Sequence, residues 1–187
     1  MDPYPTRLDD DYLDTVLIGG REEREVLLVA YDPAWPNLYE EHRGRILNAV
    51  GDLARLVEHI ESTAVPGLAA KPIIDIMVTV EDPDDESRYL APLEDAGYVL
   101  RVREDGHRML RTPKRDVHVH VWQVGSDDER RHLAFRDHLR SHPADREAYE
   151  ALKASLSGPW RDVNYYAEAK GPFIEQVIER ASRQLPD

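Results

Sequence analysis

Residues 59–80 have the sequence H-I-E-S-T-A-V-P-G-L-A-A-K-P-I-I-D-I-M-V-T-V. This pattern predicts the end of one strand, a loop with glycine and proline, a lysine, and a second apolar strand over Ile73 to Val80. Asp75 lies inside that second strand, with an isoleucine on either side. Because a lone carboxylate is costly to bury, we expect a cation, a metal or hydrogen-bond donors beside Asp75.

The composition limits the class of protein. The chain has 187 residues, 41% of them hydrophobic, which suits one domain with a buried core. With 37 acidic and 24 basic residues the formal net charge is −13, which disfavours nucleic acids and anionic membranes as partners. The chain has no cysteine, no secretion signal and no apolar run near the roughly 18 residues that a membrane helix needs. We therefore expect a cytoplasmic protein whose oligomeric state is open.

We divide the chain into an N-terminal arm, residues 1–24, and one domain, residues 25–187. Within the domain, apolar spacing predicts strands over Val26 to Ala30, Leu56 to Ile60, Ile73 to Val80, Tyr98 to Val102, His107 to Thr112 and Val117 to Val124. Helices are predicted from about Pro36 to Leu53, around Leu90, from Ser126 towards Pro143, over Arg146 to Leu156, and from Asp162 to Gln184 with a break at Gly171. This order favours an α/β or α+β fold, a mixed β-sheet flanked by helices with a helical C-terminal third.

The strand that begins at Val117 alternates strictly, so His118 and His120 lie on one of its faces. Asp75 shares a face of its own strand with Met77 for the same reason. If the two strands are neighbours in one sheet, Asp75, His118 and His120 form a group that can bind a divalent metal or act as acid and base. The alternative is that both histidines lie on a half-exposed sheet face and only form hydrogen bonds.

The loop from Ser62 to Lys71 has features of a phosphate-binding loop. Its backbone N–H groups, together with the side chains of Ser62, Thr63 and Lys71, can hold a phosphate. Glu61 argues against this interpretation, because its carboxylate repels a phosphate. A simple turn explains the glycine and proline of this loop equally well.

Several other residues have two interpretations. His59 ends the strand before the loop and could join the two histidines, although a lone histidine there is more often structural. A nucleophilic Ser62 is not excluded, although its surroundings do not resemble a nucleophile elbow. Arg136, Asp137 and Lys170 lie on predicted helices, where surface ion pairs are the simpler interpretation.

The chain resembles the GrpB family, a set of small bacterial proteins placed in the nucleotidyltransferase superfamily. The resemblance rests on residues 31–36 (Y-D-P-A-W-P), 59–76, 117–121, 135–140 (F-R-D-H-L-R) and 166–174 around Lys170, in that order. It implies a nucleotidyltransferase-like fold, in which a Gly-Ser pair opens a phosphate loop and three carboxylates hold divalent metal. By position, Ser62 matches the serine of that pair and Asp75 the first carboxylate. His118 or His120 falls where the third carboxylate is expected.

The chain departs from the superfamily pattern at two positions. Glu61 replaces the glycine of the Gly-Ser pair, and Met77 replaces the second carboxylate. A thioether is a poor ligand for a hard cation such as Mg²⁺. One carboxylate and two histidines suit a softer metal such as Mn²⁺ or Zn²⁺, or metal-free acid/base chemistry.

The resemblance and the residues together predict a nucleotidyltransferase-type enzyme. It would bind ATP, another nucleotide or another phosphorylated small molecule, with Mn, Zn or Mg as the metal, and transfer a nucleotidyl group to a small acceptor. Asp75, His118 and His120 are the predicted catalytic and metal-binding residues. The predicted cofactor-binding residues are His59, Ser62, Thr63, Lys71 and Lys170. The alternative is a binding module that has kept the fold without catalysis, which Glu61 and Met77 favour.

Overall fold

The structure is a computed structural model, and it describes residues 9–183. The helices are α1 (Asp10–Val16), α2 (Trp35–Val50), α3 (Leu90–Asp95), α4 (Asp127–Ser141), α5 (Pro143–Ser155), α6 (Val163–Ala169) and α7 (Gly171–Ser182). The strands are β1 (Arg24–Val26), β2 (Leu56–Ile60), β3 (Ile74–Val80), β4 (Val99–Glu104), β5 (His107–Arg111), β6 (Val117–Gln123) and β7 (Gly158–Trp160). The mixed sheet flanked by helices and the helical C-terminal region, both expected from the sequence, are confirmed.

Five strands form the main sheet in the order β2-β3-β6-β5-β4. β3 and β6 are parallel neighbours, and every other adjacent pair in this sheet is antiparallel. In the register of the parallel pair, Asp75 is opposite His118 and Met77 is opposite His120. β3 and β6, which had to be neighbours for the predicted group to form, therefore lie side by side at the centre of the sheet.

One face of the sheet carries the larger apolar core. Alternate residues of β3 and β6, among them Ile76 and Val119, are fully buried there against α2 and α3. Helix α2 contributes Trp35, Tyr39 and Ile46 at helical spacing, as its sequence predicts. The branched side chains of this face fill the space between sheet and helices, and burying them stabilises the domain by roughly 1.5–3 kcal/mol per large side chain.

The opposite face of the sheet carries the polar side chains of β3 and β6 and lies towards the C-terminal helices. Here Met77 and Trp122 pack with Ile60 in a small apolar cluster. Helices α4, α5 and α7 have a core of their own, which includes Phe135, Tyr149 and Val177. The polar face of the sheet and these helices enclose the space described below.

Three details differ from the sequence-based prediction. The strand expected over Val26 to Ala30 is wrong in extent, because β1 ends at Val26 and only Val29 makes an isolated bridge further on. The partner of β1 is β7, whose three residues carry glycine and proline and so give no strand pattern. Helix α5 starts at Pro143, which occupies a first-turn position where its missing N–H costs nothing.

Residues 1–8 of the predicted N-terminal arm and residues 184–187 lie outside the described part of the chain. Within the rest of the arm, α1 packs Leu13 and Leu17 on Val102 of β4. The division into arm and domain stays a prediction. In the described residues no helix combines the length and the apolar character needed to cross a membrane.

Candidate functional site

A cavity of about 340 Å³ lies between the polar face of the sheet and the C-terminal helices. Its size is within the range of small-molecule binding sites. Acidic, imidazole, hydroxyl and ammonium side chains converge on it from β3, β6, the loop after β2, and the C-terminal helices. Its polar and aromatic lining includes Glu61, Ser62, Thr63, Lys71, Asp75, His107, His118, His120, Trp122, His132, Lys153, Asn164, Tyr166 and Lys170.

Asp75, His118 and His120 form a compact group at the sheet side of the cavity. Nδ1 of His118 lies 3.3 Å and Nε2 of His120 lies 3.4 Å from the same oxygen, Oδ1 of Asp75. Each residue offers one ligand atom, and these atoms all lie within 4.8 Å of one another. This spacing follows from the parallel register of β3 and β6, which puts Asp75 directly opposite His118.

The protonation states in this group suit a metal. Burial alone would raise the pKa of Asp75, but the hydrogen bonds of His118 and His120 outweigh it and lower that pKa. Burial lowers the pKa of His120, in spite of the carboxylate beside it. Nε2 of His118 is buried and has no hydrogen-bond partner among the described residues. A borderline divalent cation would bind such a set, which has an ionised carboxylate, a neutral imidazole and an unused ring nitrogen.

His107 supports the histidine group from β5. Its Nε2 lies 3.2 Å from Nδ1 of His120, and its Nδ1 lies 3.2 Å from Oε2 of Glu104. The two imidazoles are stacked, and Trp122 stacks on both of them. A ring nitrogen hydrogen-bonded in this way fixes the orientation of the imidazole and the nitrogen that is left for a ligand.

The helix side of the cavity carries three lysines. Lys153 of α5 is only 2% exposed, Lys170 between α6 and α7 is buried, and Lys71 is partly buried. Burial, followed by the charge of Lys170, lowers the pKa of Lys71 to about 8 and that of Lys153 to about 7. The Lys71 and Lys170 ammonium groups lie 5.0 and 4.8 Å from the centre of the Tyr166 ring. Lysine side chains close together in a cavity favour an anionic ligand.

The loop after β2 begins with a strained residue. Glu61 has φ 60° and ψ −165°, a region that residues other than glycine rarely adopt. A single 3₁₀ turn, Ser62–Ala64, follows at once. The Glu61 carboxylate is held by Nδ1 of His132 on α4 at 3.1 Å. The carboxylate expected to repel a phosphate is therefore paired, and the position keeps a glycine-like backbone.

Ser62 and Thr63 leave this turn in different directions. Oγ of Ser62 lies at the cavity, 3.1 Å from Nζ of Lys153. Oγ1 of Thr63 is buried, donates to the Ile73 carbonyl at 3.0 Å and lies 3.0 Å from Nε2 of His59. Because the threonine proton is used on Ile73, Nε2 of His59 is the donor in the second bond.

His59 lies on the other face of the sheet. In the β2–β3 register it is opposite Ile76, whereas Asp75 is opposite Ile60. Its ring stacks on Tyr39 of α2 with the centroids 4.9 Å apart, and it is not among the cavity-lining residues. The expectation that His59 joins His118 and His120 is therefore corrected, since strand alternation directs its side chain away from them.

The interpretation of Arg136 and Lys170 as residues in surface ion pairs is wrong, because both side chains are buried, and Lys170 lies at the cavity, where the prediction of a cofactor-binding residue also put it. Arg136 is buried and donates to Glu58 at 2.6 Å, to Asp137 at 2.7 Å and to the His59 carbonyl at 3.0 Å, joining α4 to β2. Lys170 is buried at the cavity and donates to the Tyr149 hydroxyl at 3.4 Å. Of these three helical residues, Asp137 is exposed, as expected.

Sequence reasoning missed Lys153, His107, His132 and Tyr166. For Lys153 a signal exists, because it lies four residues after Tyr149 on the apolar stripe of α5, where a lysine needs an explanation. His107 is the first residue of its strand and is separated from His120 by a turn. His132 gives no signal, since it occupies an ordinary position in a charged helix.

The fold and the cavity define the class as a mixed α/β domain with a candidate metal and anion site. The profile of the GrpB protein family matches residues 25–180, and the chain belongs to that family. A UPF0157 protein from Streptomyces coelicolor is 52% identical over 166 residues, which cover 88% of this chain and 89% of that protein. The family expected from the sequence motifs is thereby confirmed.

Two further comparisons concern structure and function. The crystal structure of the conserved protein GrpB from Enterococcus faecalis is similar, with a TM-score of 0.69 and 34% identity, over 84% of this chain and 98% of that chain. A dephospho-CoA kinase from Mycolicibacterium paratuberculosis is 31% identical over 186 residues, which cover 83% of this chain and 46% of that protein.

Proposed function

We propose that this chain is a metal-dependent transferase of the nucleotidyltransferase type, which acts on a nucleotide or another phosphorylated small molecule. Membership of the nucleotidyltransferase superfamily, a cytoplasmic location and a small-molecule acceptor are parts of the same proposal. The observation that carries it is the arrangement of the cavity. Asp75, His118 and His120 lie on the sheet side, and Lys71, Lys153 and Lys170 lie on the helix side.

The two sides of the cavity match the two needs of phosphate chemistry. Lys71 and Lys170 stabilise negative charge on phosphate oxygens, in surroundings with little water, where each charge acts more strongly. Asp75, His118 and His120 would hold the metal, which supplies further charge stabilisation at the reacting phosphate and orients the leaving group. A 340 Å³ cavity also gives room for a small acceptor beside a phosphate group.

The donor set favours Mn²⁺, Zn²⁺ or Fe²⁺ over Mg²⁺. Two imidazoles and one carboxylate are common for these borderline metals, whereas Mg²⁺ prefers an all-oxygen environment. Met77, at the second carboxylate position of the superfamily, packs against Ile60 and Trp122 and offers the cavity no oxygen. His120 lies opposite Met77 in the register, so an imidazole is the neighbour of the position where the carboxylate is missing.

In the proposed reaction an acceptor oxygen attacks the α-phosphorus of the nucleotide. The new P–O bond forms, the bond to the bridging oxygen breaks, and diphosphate leaves with the electron pair. Lys71 and Lys170 neutralise the phosphate oxygens, and Ser62 with the N–H groups of its turn positions them. The proton of the acceptor passes to water, because the two ring nitrogens of His120 are engaged by Asp75 and His107.

Calorimetry and thermal melting test this proposal. Mn²⁺, Zn²⁺, Fe²⁺ and Mg²⁺ are titrated singly, followed by ATP and, because relatives include a dephospho-CoA kinase, dephospho-CoA. We expect stoichiometric binding of a borderline metal, tighter nucleotide binding in its presence, and loss of metal binding in Asp75→Asn. His142→Ala, outside the cavity, is the matched control. If neither metal nor nucleotide binds or raises the melting temperature, the proposal fails.

A catalytically inactive binding module is the second candidate. Met77 favours it, because a buried thioether replaces a carboxylate on which the superfamily relies. The hydrogen bond of Glu61 with His132 favours it too, because it keeps an acidic group beside the phosphate loop. Metal and nucleotide binding without release of diphosphate, across a panel of hydroxyl and carboxylate acceptors, would support the module and contradict the transferase.

A further inference from the structure

Ser62 and Lys153 form a pair that phosphate binding alone does not require. Nζ of Lys153 lies 3.1 Å from Oγ of Ser62 and also donates to the Ala69 carbonyl. Lys153 is 2% exposed, whereas Ser62 is partly exposed at the cavity. A nucleophile in reach of a base, with the base oriented by a third group, is the arrangement found in covalent catalysis. Lysine serves as that base in several serine enzymes.

We propose that Ser62 is a nucleophile activated by Lys153, and that the transferred phosphorus group passes through a covalent bond to Ser62. This inference deepens the proposed function and rests on it for the substrate class, a phosphoanhydride. Two successive displacements through Ser62 take the place of direct attack by the acceptor. It adds Lys153 as a catalytic residue and gives Ser62 a role beyond holding phosphate.

The groups around Ser62 allow its proton to pass to Lys153. An ammonium group can only donate hydrogen bonds, and Nζ of Lys170 donates to the Tyr149 hydroxyl at 3.4 Å. Burial raises the pKa of Tyr149 well above its usual value, so its hydroxyl stays protonated beside Ser62. Protonated Lys153 donates to Oγ of Ser62 at 3.1 Å and to the Ala69 carbonyl, and once Lys153 is neutral its lone pair can accept the Ser62 proton over the same distance.

The charge state of Lys153 fits the role of a base. Burial, followed by the charge of Lys170, lowers the pKa of Lys153 to about 7, and Lys71 lowers it slightly further. Glu61 and Glu150 have smaller, opposing effects. A neutral amine keeps a lone pair, which an ammonium does not have. At neutral pH a substantial fraction of Lys153 can therefore accept the Ser62 proton, as a general base should.

The turn that carries Ser62 also suits a nucleophile. β2 ends at Ile60, Glu61 adopts a glycine-like backbone, and the 3₁₀ turn starts with Ser62. Backbone strain of this kind is concentrated at active sites and ligand clamps. The hydrogen bond of Glu61 to His132 fixes the turn from α4.

The reaction balances in two steps. Oγ of Ser62 attacks the phosphorus, the Oγ–P bond forms, the bond to the bridging oxygen breaks, and that oxygen leaves with the electron pair. The Ser62 proton goes to Nζ of Lys153. In the second step an acceptor hydroxyl attacks the same phosphorus and loses its proton to water. The Oγ–P bond breaks, and Ser62 recovers its proton from Lys153.

Diisopropyl fluorophosphate tests the pair in the full-length protein without any metal or nucleotide. We expect a single adduct on Ser62, seen by intact mass and peptide mapping, and no adduct in Ser62→Ala. The labelling rate should rise with pH to a plateau, with a midpoint near 7, because neutral Lys153 is the base. Lys153→Arg keeps a cation but no base and should slow labelling about 100-fold. Lys114→Arg, on an exposed lysine, should not slow it.

Three results would overturn the inference: no adduct, an adduct on another residue, or a rate that Lys153→Arg leaves unchanged. If Lys153→Arg does not fold, the pH profile of the unmodified chain decides, since a flat profile near pH 7 also overturns it. The proposed function fails separately. If the unmodified chain forms no Ser62 adduct but nucleotide still binds to Ser62→Ala, the transferase proposal stands and the Ser62–Lys153 proposal fails. If the unmodified chain forms the Ser62 adduct but binds no nucleotide, only the Ser62–Lys153 proposal stands.

Discussion

Oε1 of Glu61 lies 3.1 Å from Nδ1 of His132, although the Glu61 backbone has a φ of 60° that favours glycine. The side chain thus secures a turn that its own backbone disfavours. The resemblance to the nucleotidyltransferases, which stays a prediction, implies a glycine at this position. The backbone geometry is that of a glycine, and the glutamate is tolerated because α4 supplies a partner.

We predict that Glu61→Gly is more stable than Glu61→Ala. Both variants lose the contact with His132, but only glycine relieves the backbone strain, which is worth about 1–3 kcal/mol. Urea unfolding of both variants at pH 7 measures the difference. Equal free energies of unfolding would show that the turn is not strained.

Substitutions in the histidine group should separate ligands from supporting residues. We expect His118→Ala and His120→Ala to abolish measurable Mn²⁺ or Zn²⁺ binding. His107→Ala should weaken it only about 10–100-fold, because His107 orients His120 without being a ligand. Isothermal titration calorimetry gives these affinities, and an unchanged affinity in His118→Ala would contradict the assignment.

The lysine side of the cavity should govern anion affinity alone. We expect Lys71→Gln and Lys170→Gln each to weaken ATP binding about 10–100-fold, the range for a hydrogen bond to a charged group. Metal binding, which depends on the sheet side, should stay the same. Lys114→Gln is the matched surface control. If the two variants weaken metal and nucleotide binding equally, the division of the cavity is wrong.

His59 should make the domain less stable in acid. Burial is the main cause that lowers its pKa from 6.5 to about 4 in the folded chain, so the unfolded chain binds the proton more readily. The contribution of neutral His59 to the free energy of unfolding is therefore complete above pH 6.5. It is lost as the pH falls towards 4, by about 3 kcal/mol in all. Urea unfolding from pH 7 to pH 4 should show a shallower loss in His59→Gln. Parallel curves for the two proteins would contradict this origin.

Arg136 should matter for stability more than an exposed arginine on the same helix. It is buried and joins α4 to Glu58 and to the His59 carbonyl, so Arg136→Met should cost about 2–3 kcal/mol. Arg130 pairs with exposed Asp127 and donates to the exposed Gly125 carbonyl, so Arg130→Met should cost less than about 0.5 kcal/mol. Thermal and chemical unfolding of the two variants test the contrast, which fails if their stabilities agree.

The sequence predicts each strand of the site well but not how the strands assemble. Strict alternation assigned His118 and His120 to one face of β6 and Asp75 to one face of β3, and the register agrees. That these strands are parallel neighbours depends on the crossover through α3 and the β4–β5 hairpin, which no local pattern encodes. The loop before β3 leaves the β2–β3 register open, so the face of His59 relative to Asp75 could not be predicted.

The residues on the helix side were the hardest to predict. Lys153 is on the apolar stripe of α5, but its place over Ser62 depends on how α5 packs against the loop after β2. Amphipathic spacing identifies the buried face of a helix without identifying what that face covers. A lysine on such a face is a sign of a buried polar partner, and the partner itself becomes known only from the packing.

β3 and β6 are hydrogen-bonded on both sides, whereas the lysines lie on a loop and on helices that pack over the sheet. Amides of such central strands exchange with deuterium only when the whole domain opens, while peripheral helices open in smaller fluctuations. The histidine group therefore belongs to the slowest-exchanging part of the protein and the lysines to a faster one. A ligand that bridges them links the two parts, and its clearest signature would be slower amide exchange in α5 to α7 with little change in β3 and β6.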